Sequence, residues 1–174
     1  MGHAGCGKDS VAEYLSRKYN FRIVSFYEPL RNLAKDLFDR EDRQTLRRLG
    51  KGLSDAFGRD IFISYWSSNF PHGNVVLKDA RYRNELVWLS EVCELIIAVK
   101  CDPGVSAERI KRRAREGDPA DEKELLSEWN QESDLDDDYP RFHSVDNSAD
   151  FQTTAKEVDK LVNVALGEKG GQSN

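Results

Sequence analysis

No run of apolar residues in this chain approaches the ~20 that a membrane-spanning helix needs, and no charged-then-apolar signal pattern is visible. Neither a membrane partner nor secretion is therefore expected. Cysteine is scarce: Cys6, Cys93 and Cys101 are odd in number and lack CxxC spacing. That argues against a disulfide framework or a zinc site and for scattered reduced thiols in a cytoplasmic protein. An excess of positive charge is also missing. With 26 Lys and Arg against 31 Asp and Glu the formal net charge is −5, a poor balance for a general binder of nucleic-acid polymers. What the chain does have is 174 residues, 39% of them apolar and 10% aromatic, enough for one folded domain with a true core. Residues 1–166 are expected to form it, and the polar tail 167–174 to be disordered.

The most informative stretch is Gly2-His3-Ala4-Gly5-Cys6-Gly7-Lys8-Asp9-Ser10. Gly2, Gly5 and Gly7 leave room for backbone N–H groups to point inward, and Lys8 can reach the β- and γ-phosphates of a nucleotide. The spacing Gly2-x4-Gly7-Lys8 meets the first part of the Walker A pattern, with a helix directly after it. Asp9 stands where a serine or threonine is usual, and Ser10 comes one position late. A loop of this kind ordinarily follows a buried strand, which this sequence lacks. About five missing apolar side chains would cost ~7–15 kcal/mol, comparable with the ~5–15 kcal/mol stability of a whole domain. The expectation is a native product that starts upstream, or a gapped or rearranged sheet.

Downstream, helix and strand patterns alternate. Helices are expected over 10–19, from Pro29 through the stripe Leu30, Leu33, Ala34, Leu37 and Phe38, over 44–57 before Gly58, and over 61–70, 84–92 and 151–166. Strands are expected at 21–27, 74–79, 95–100 and 142–145. Short apolar strands separated by helices make an α/β fold with a parallel sheet, its first, central strand missing or truncated. Asp79 and Arg81 follow a strand, at the carboxyl edge where open α/β sheets bind ligands. The carboxylate can orient Mg²⁺, and Arg81 can hold a phosphate bidentately. A helix over 106–116, with Ser106 as its N-cap, carries Arg109, Lys111, Arg112, Arg113 and Arg115. An acidic stretch over 118–138 follows, around Leu125, Leu126 and Trp129. Together they read as a lid over about 103–140 whose arginines neutralise a transferring phosphoryl group. The bland alternative is a solvated charged helix.

GHAGCGKDSVAEYL, SFYEPLRNLAKDLF, LRRLGKGLSDAFGRDIFISYW and VVLKDARYRNEL, taken together, resemble the deoxynucleoside monophosphate kinases of tailed bacteriophages. The Gly-Lys-Asp ending of the loop is usual in that group. The resemblance runs from Gly2 to about Asp136. It implies a P-loop, adenylate-kinase-like fold with a five-stranded parallel sheet. It also implies transfer of the ATP γ-phosphoryl group to a deoxynucleoside monophosphate, with Mg²⁺. By this resemblance the ATP phosphates fall to Gly2, Gly5, Cys6, Gly7, Lys8, Asp9 and Ser10. The acceptor falls to Glu28, Leu30, Arg31, Arg48, Gly58, Arg59, Asp60, Trp66, Asp79, Arg81 and Glu132. Asn84 and Glu85 support Asp79 and Arg81. Lys8, Arg81, Arg109 and Arg113 are the catalytic candidates, and Asp9, Ser10 and Asp79 the candidate Mg²⁺ ligands. Alternatives are a P-loop kinase of another small phosphoacceptor such as dephospho-coenzyme A, and a nucleotide-binding form without turnover. The preferred base and the oligomeric state, a homodimer included, are not fixed by the sequence.

Overall fold

The computed structural model describes residues 1–115 and 141–170. Along them run α1 (Lys8–Tyr19), β1 (Arg22–Ser25), α2 (Glu28–Phe38), α3 (Arg43–Phe57), α4 (Ile61–Asn69) and β2 (Val75–Lys78). Then come α5 (Arg83–Val92), β3 (Ile96–Lys100), α6 (Pro103–Arg115), β4 (Phe142–Asp146) and α7 (Phe151–Gly170). Glu132, the acidic stretch and the lid beyond Arg115 lie outside the described residues. Two compact units emerge, one of Met1–Tyr14 with Arg81–Asn174 and the other of Leu15–Ala80.

In the Leu15–Ala80 unit, β1 and β2 pair in parallel from Arg22 opposite Val75 to Ser25 opposite Lys78. The ladder continues one step further, Phe26 N–H donating to the Lys78 carbonyl at 2.8 Å. Pro29 sits in the first turn of α2, where its missing N–H costs nothing. Asp42 caps α3, its carboxylate accepting the N–H and the hydroxyl of Thr45. The interior of this unit is aromatic: Phe26 is fully buried, and the Tyr27 and Phe62 rings meet edge-on at 5.0 Å.

The apolar stripe expected on α2 is only half used. Leu30 and Ala34 are buried, whereas Leu37 and Phe38 are more than half exposed. The physical reason is the neighbour. α2 packs on α3, and α3 itself buries none of its residues, so the shared seam is shallow.

In the other unit, β3 and β4 pair in parallel from Ile96 opposite Phe142 to Lys100 opposite Asp146. Ile96 N–H donates to Arg141 O and Lys100 O accepts from Asn147 N–H, so even-numbered residues of β3 face β4. Odd-numbered ones face the opposite edge, and there Met1 lies. Its ammonium donates to Ile97 O at 2.6 Å and its carbonyl accepts Val99 N–H at 2.7 Å, the pattern of a parallel bridge. Met1 thus leads into the glycine loop as the end of a strand would. α7 turns Thr154, Ala155, Val158 and Val162 inward on one helical face. Tyr14 donates to the Asp159 carboxylate at 2.8 Å and sets its ring edge-on to Phe151.

Parallel pairing and the α/β order are as the sequence implies. The described strands number four, in two pairs of two, where the resemblance implies one five-stranded sheet. α7 continues through Gly170, and residues 171–174 lie outside the described residues. One local expectation is corrected. Ser106 is not an N-cap but lies inside α6, which starts at Pro103. The capping group is Asp102, whose Oδ1 accepts the N–H of Gly104 at 2.7 Å and of Val105 at 3.3 Å. Aspartate followed by proline is the ordinary start of a helix, with Pro at the first helical position.

Candidate functional site

The glycine loop leaves Met1 beside β3, crosses the carboxyl end of that strand and enters α1 at Lys8. Gly5 has φ +79° and Gly7 has φ +92°, both in the region where L side chains are strained. Space closes the same positions. A Cβ on Gly7 would lie 2.3 Å from Asn147 Nδ2, and one on Gly5 2.7 Å from the Ser106 carbonyl oxygen. Cys6 N–H turns back onto His3 O at 3.2 Å, and Lys8 Nζ reaches over the loop to the same carbonyl at 3.2 Å. The ammonium therefore lies above a ring of backbone at the positive end of α1.

Cys6 contributes backbone, while its side chain is buried. Its thiol lies 2.9 Å from Cys101 Sγ. Burial first, and then the contact with Cys101, push the Cys6 thiol up to about 12. It therefore stays protonated at neutral pH. Asn147 and Ser106, 3% and 1% exposed, hold the loop from outside. Asn147 Nδ2 donates to Cys6 O at 2.8 Å, and Ser106 Oγ donates to Ala4 O at 2.6 Å. Thr154 Oγ1 in turn lies 2.9 Å from Asp146 O and 3.0 Å from Asn147 Oδ1, two acceptors for its one proton.

The same unit holds Arg81, Arg109 and Arg113. Glu85, 1% exposed, takes the N–H groups of Arg81 at 2.6 Å and Tyr82 at 3.0 Å, fixing the turn that presents the exposed Arg81. Arg109 stands one turn beyond Ser106 on α6. Its Nη1 is buried and has no hydrogen-bond partner among the described residues. A buried guanidinium nitrogen left so is costly, and an anion would relieve it. Arg113 is exposed.

In the Leu15–Ala80 unit a second polar cluster forms at the carboxyl ends of β1 and β2. Asp79 has φ +73°, and its carboxylate accepts Ser25 Oγ at 2.7 Å with Arg31 Nη2 at 3.7 Å. Arg31 and Asp79 are thus brought together as candidate acceptor residues. Glu28, Arg48 and Arg59 are exposed in the same unit. Trp66 lies in the core of the same unit. It is 5% exposed and donates its Nε1–H to Phe26 O at 2.8 Å, inside the core.

Among the described residues no three His, Cys, Asp or Glu side chains cluster as a metal cage. Of the candidate Mg²⁺ donors, Asp9 and Ser10 lie in the first turn of α1, and Asp79 lies in the other unit beside Ser25 and Arg31.

Asn147, Ser25 and Thr154 were not legible as site residues from composition alone. The signal was nonetheless present. Asp146-Asn147-Ser148 follows an apolar strand, the position already singled out at Asp79.

The sequence matches no protein-family model and no curated protein. Solved structures, by contrast, share the fold. A gluconokinase from Sinorhizobium meliloti 1021 superposes with a TM-score of 0.65 at 19% identity, covering 100% of this chain and 95% of that one. A sugar kinase from Janibacter sp. HTCC2649 gives 0.59 at 14%, covering 95% and 92%. These define the class: an α/β chain with the P-loop kinase fold. A deoxyadenosine kinase from M. mycoides, solved with bound dCTP, gives 0.50 at 15% identity and covers 94% of this chain and 97% of that one.

Proposed function

We propose that the chain is a nucleotide kinase that moves the γ-phosphoryl group of ATP onto a deoxynucleoside monophosphate, yielding ADP and the deoxynucleoside diphosphate. The observation that carries this reading is the loop itself: glycines in left-handed backbone, a lysine ammonium above them and a helix N-terminus behind. That is a cradle for the β- and γ-phosphates. The kinase fold supports it, and the resemblance to the phage deoxynucleoside monophosphate kinases supplies the acceptor.

In the proposed reaction an acceptor phosphate oxygen bonds to the γ-phosphorus as the bond to the β–γ bridging oxygen breaks. Lys8 and the loop N–H groups hold the donor and spread charge as the bridging oxygen leaves. Arg109, whose buried Nη1 has no partner among the described residues, and Arg81, presented by Glu85, offset charge on the transferring group. Arg113 shares a helix face with Arg109 and acts beside it. Arg31 and Asp79, with Glu28, Arg48 and Arg59, receive the acceptor. Asp9, Ser10 and Asp79 are the candidates that would hold Mg²⁺, which would supply positive charge to the phosphates.

A coupled ADP-release assay on the folded chain with ATP, Mg²⁺ and each of dAMP, dCMP, dGMP and dTMP tests this. Turnover with at least one, and none with gluconate or dephospho-coenzyme A, is expected. Silence with all four deoxynucleotides overturns the acceptor assignment.

A further inference from the structure

We propose that Asn147 and Ser106 are positioning residues that aim the phosphate-binding N–H groups of the loop; the inference rests on the phosphate-loop reading above. Every peptide bond described is trans. In a trans peptide the C=O and the following N–H point in opposite directions across one plane. Asn147 pulls the Cys6 carbonyl outward at 2.8 Å, which sends the Gly7 N–H the other way. Ser106 pulls the Ala4 carbonyl outward at 2.6 Å, which does the same for the Gly5 N–H. The amide between them, Cys6 N–H, is spent on His3 O. Among the described residues, Gly5 and Gly7 N–H donate to no group. They are two of the loop amides left to bind a ligand.

Both holders are themselves held. Asn147 N–H donates to Lys100 O at 2.8 Å, so its backbone is locked to β3. The Cys6 carbonyl can only accept, so the amino group is the end turned to it, and Oδ1 is left 3.0 Å from the Thr154 hydroxyl, which also lies 2.9 Å from Asp146 O. Ser106 sits on a buried face of α6 beside Ile110. A glycine loop has low intrinsic preference for one peptide orientation, because Gly visits both signs of φ. Two rigid donors, 141 and 102 residues away in sequence, remove that freedom before the nucleotide arrives. Gly7 has no Cβ for a complementary reason: a methyl group there would occupy the space of the Asn147 amino group.

The test compares the full chain with Asn147→Asp, Ser106→Ala and Thr154→Val. Asn147→Asp keeps the shape but cannot donate to Cys6 O. ATP and inorganic tripolyphosphate are the probes, by titration calorimetry and by the backbone amide resonances of Gly5 and Gly7. Asn147→Asp is expected to weaken both probes about ten-fold or more, and Ser106→Ala and Thr154→Val about three- to ten-fold, each a fraction of one good hydrogen bond. The KM for the deoxynucleotide should change less than about two-fold. The ligand-induced shifts of Gly5 and Gly7 should shrink in step with affinity, which a merely structural role would not produce. If the parent binds tripolyphosphate and the folded variants bind it equally well, the inference falls and the phosphate-loop reading stands. If the parent binds neither probe, that reading falls and takes the inference with it. Should Asn147→Asp fail to fold, Ser106→Ala and Thr154→Val decide by the same criteria.

Discussion

Replacing Gly7 by alanine would set a Cβ 2.3 Å from Asn147 Nδ2 on a backbone of φ +92°. The strain alone is worth about 1–3 kcal/mol, and relief requires the Asn147 amino group to leave Cys6 O. Gly7→Ala should therefore lower the urea midpoint and weaken ATP binding together, whereas Gly52→Ala, where a Cβ meets nothing, should do neither. Chemical denaturation and calorimetry on the two variants check this. The neighbouring Cys6 gives a pH-dependent counterpart. Its folded thiol is pushed from 9.0 up to about 12, mainly by burial, so the native state keeps a proton that the unfolded chain releases. Its contribution to stability is complete below about pH 9 and is lost as pH rises toward 12. Cys93, raised to about 11 chiefly by burial, adds to the same slope. Cys6→Ala should flatten the fall in urea midpoint between pH 9 and 10.5 relative to the parent. A parallel fall in both proteins would contradict it.

At the scale of single elements, the start of α6 matters most, because this helix carries both Ser106 and Arg109. Its first turn is closed by Asp102, whose Oδ1 takes two N–H groups and whose own N–H donates to Ser148 Oγ at 2.8 Å. Asp102→Ala removes the cap and should cost about 0.5–2 kcal/mol. Asp102→Asn, which keeps an accepting oxygen, should recover most of it. Fraying of this turn also loosens Ser106, so Asp102→Ala is expected to raise the KM for ATP more than the KM for the acceptor. Equal changes in both would show that the cap serves stability alone. Asp102 was legible as a cap, since an aspartate before a proline opens a helix. Pro103 and Gly104, read as breakers, place the expected start at Ser106 instead.

Across the whole molecule, what the sequence carried was periodicity and local spacing. The glycine loop, the order of helices and strands and the parallel pairing all follow from residues within a few positions of each other. What it did not carry was contact at long range. Nothing local couples Asn147 to Cys6 or Ser106 to Ala4, and nothing in the α2 stripe announces that α3 would leave Leu37 and Phe38 in water. Nothing local to Trp66 shows that its Nε1–H is spent on Phe26 O inside the core. The split of the candidate residues between the two units leads to the last prediction. The loop, Arg81 and Arg109 belong to the unit built on β3 and β4, whereas Ser25, Arg31 and Asp79 belong to the one built on β1 and β2. If the donor binds the first set and the acceptor the second, each ligand alone should slow amide hydrogen exchange in its own unit. ATP should protect the segment 2–10 and the amide of Asn147. A deoxynucleoside monophosphate should protect 25–31 and 79. Since a ligand at 100 times its Kd adds ~2.7 kcal/mol to the state it binds, the expected slowing reaches about a hundred-fold where exchange follows global opening. Protection of the loop by the monophosphate alone would mean that both nucleotides compete for one cradle, and the acceptor assignment of Arg31 and Asp79 would fail.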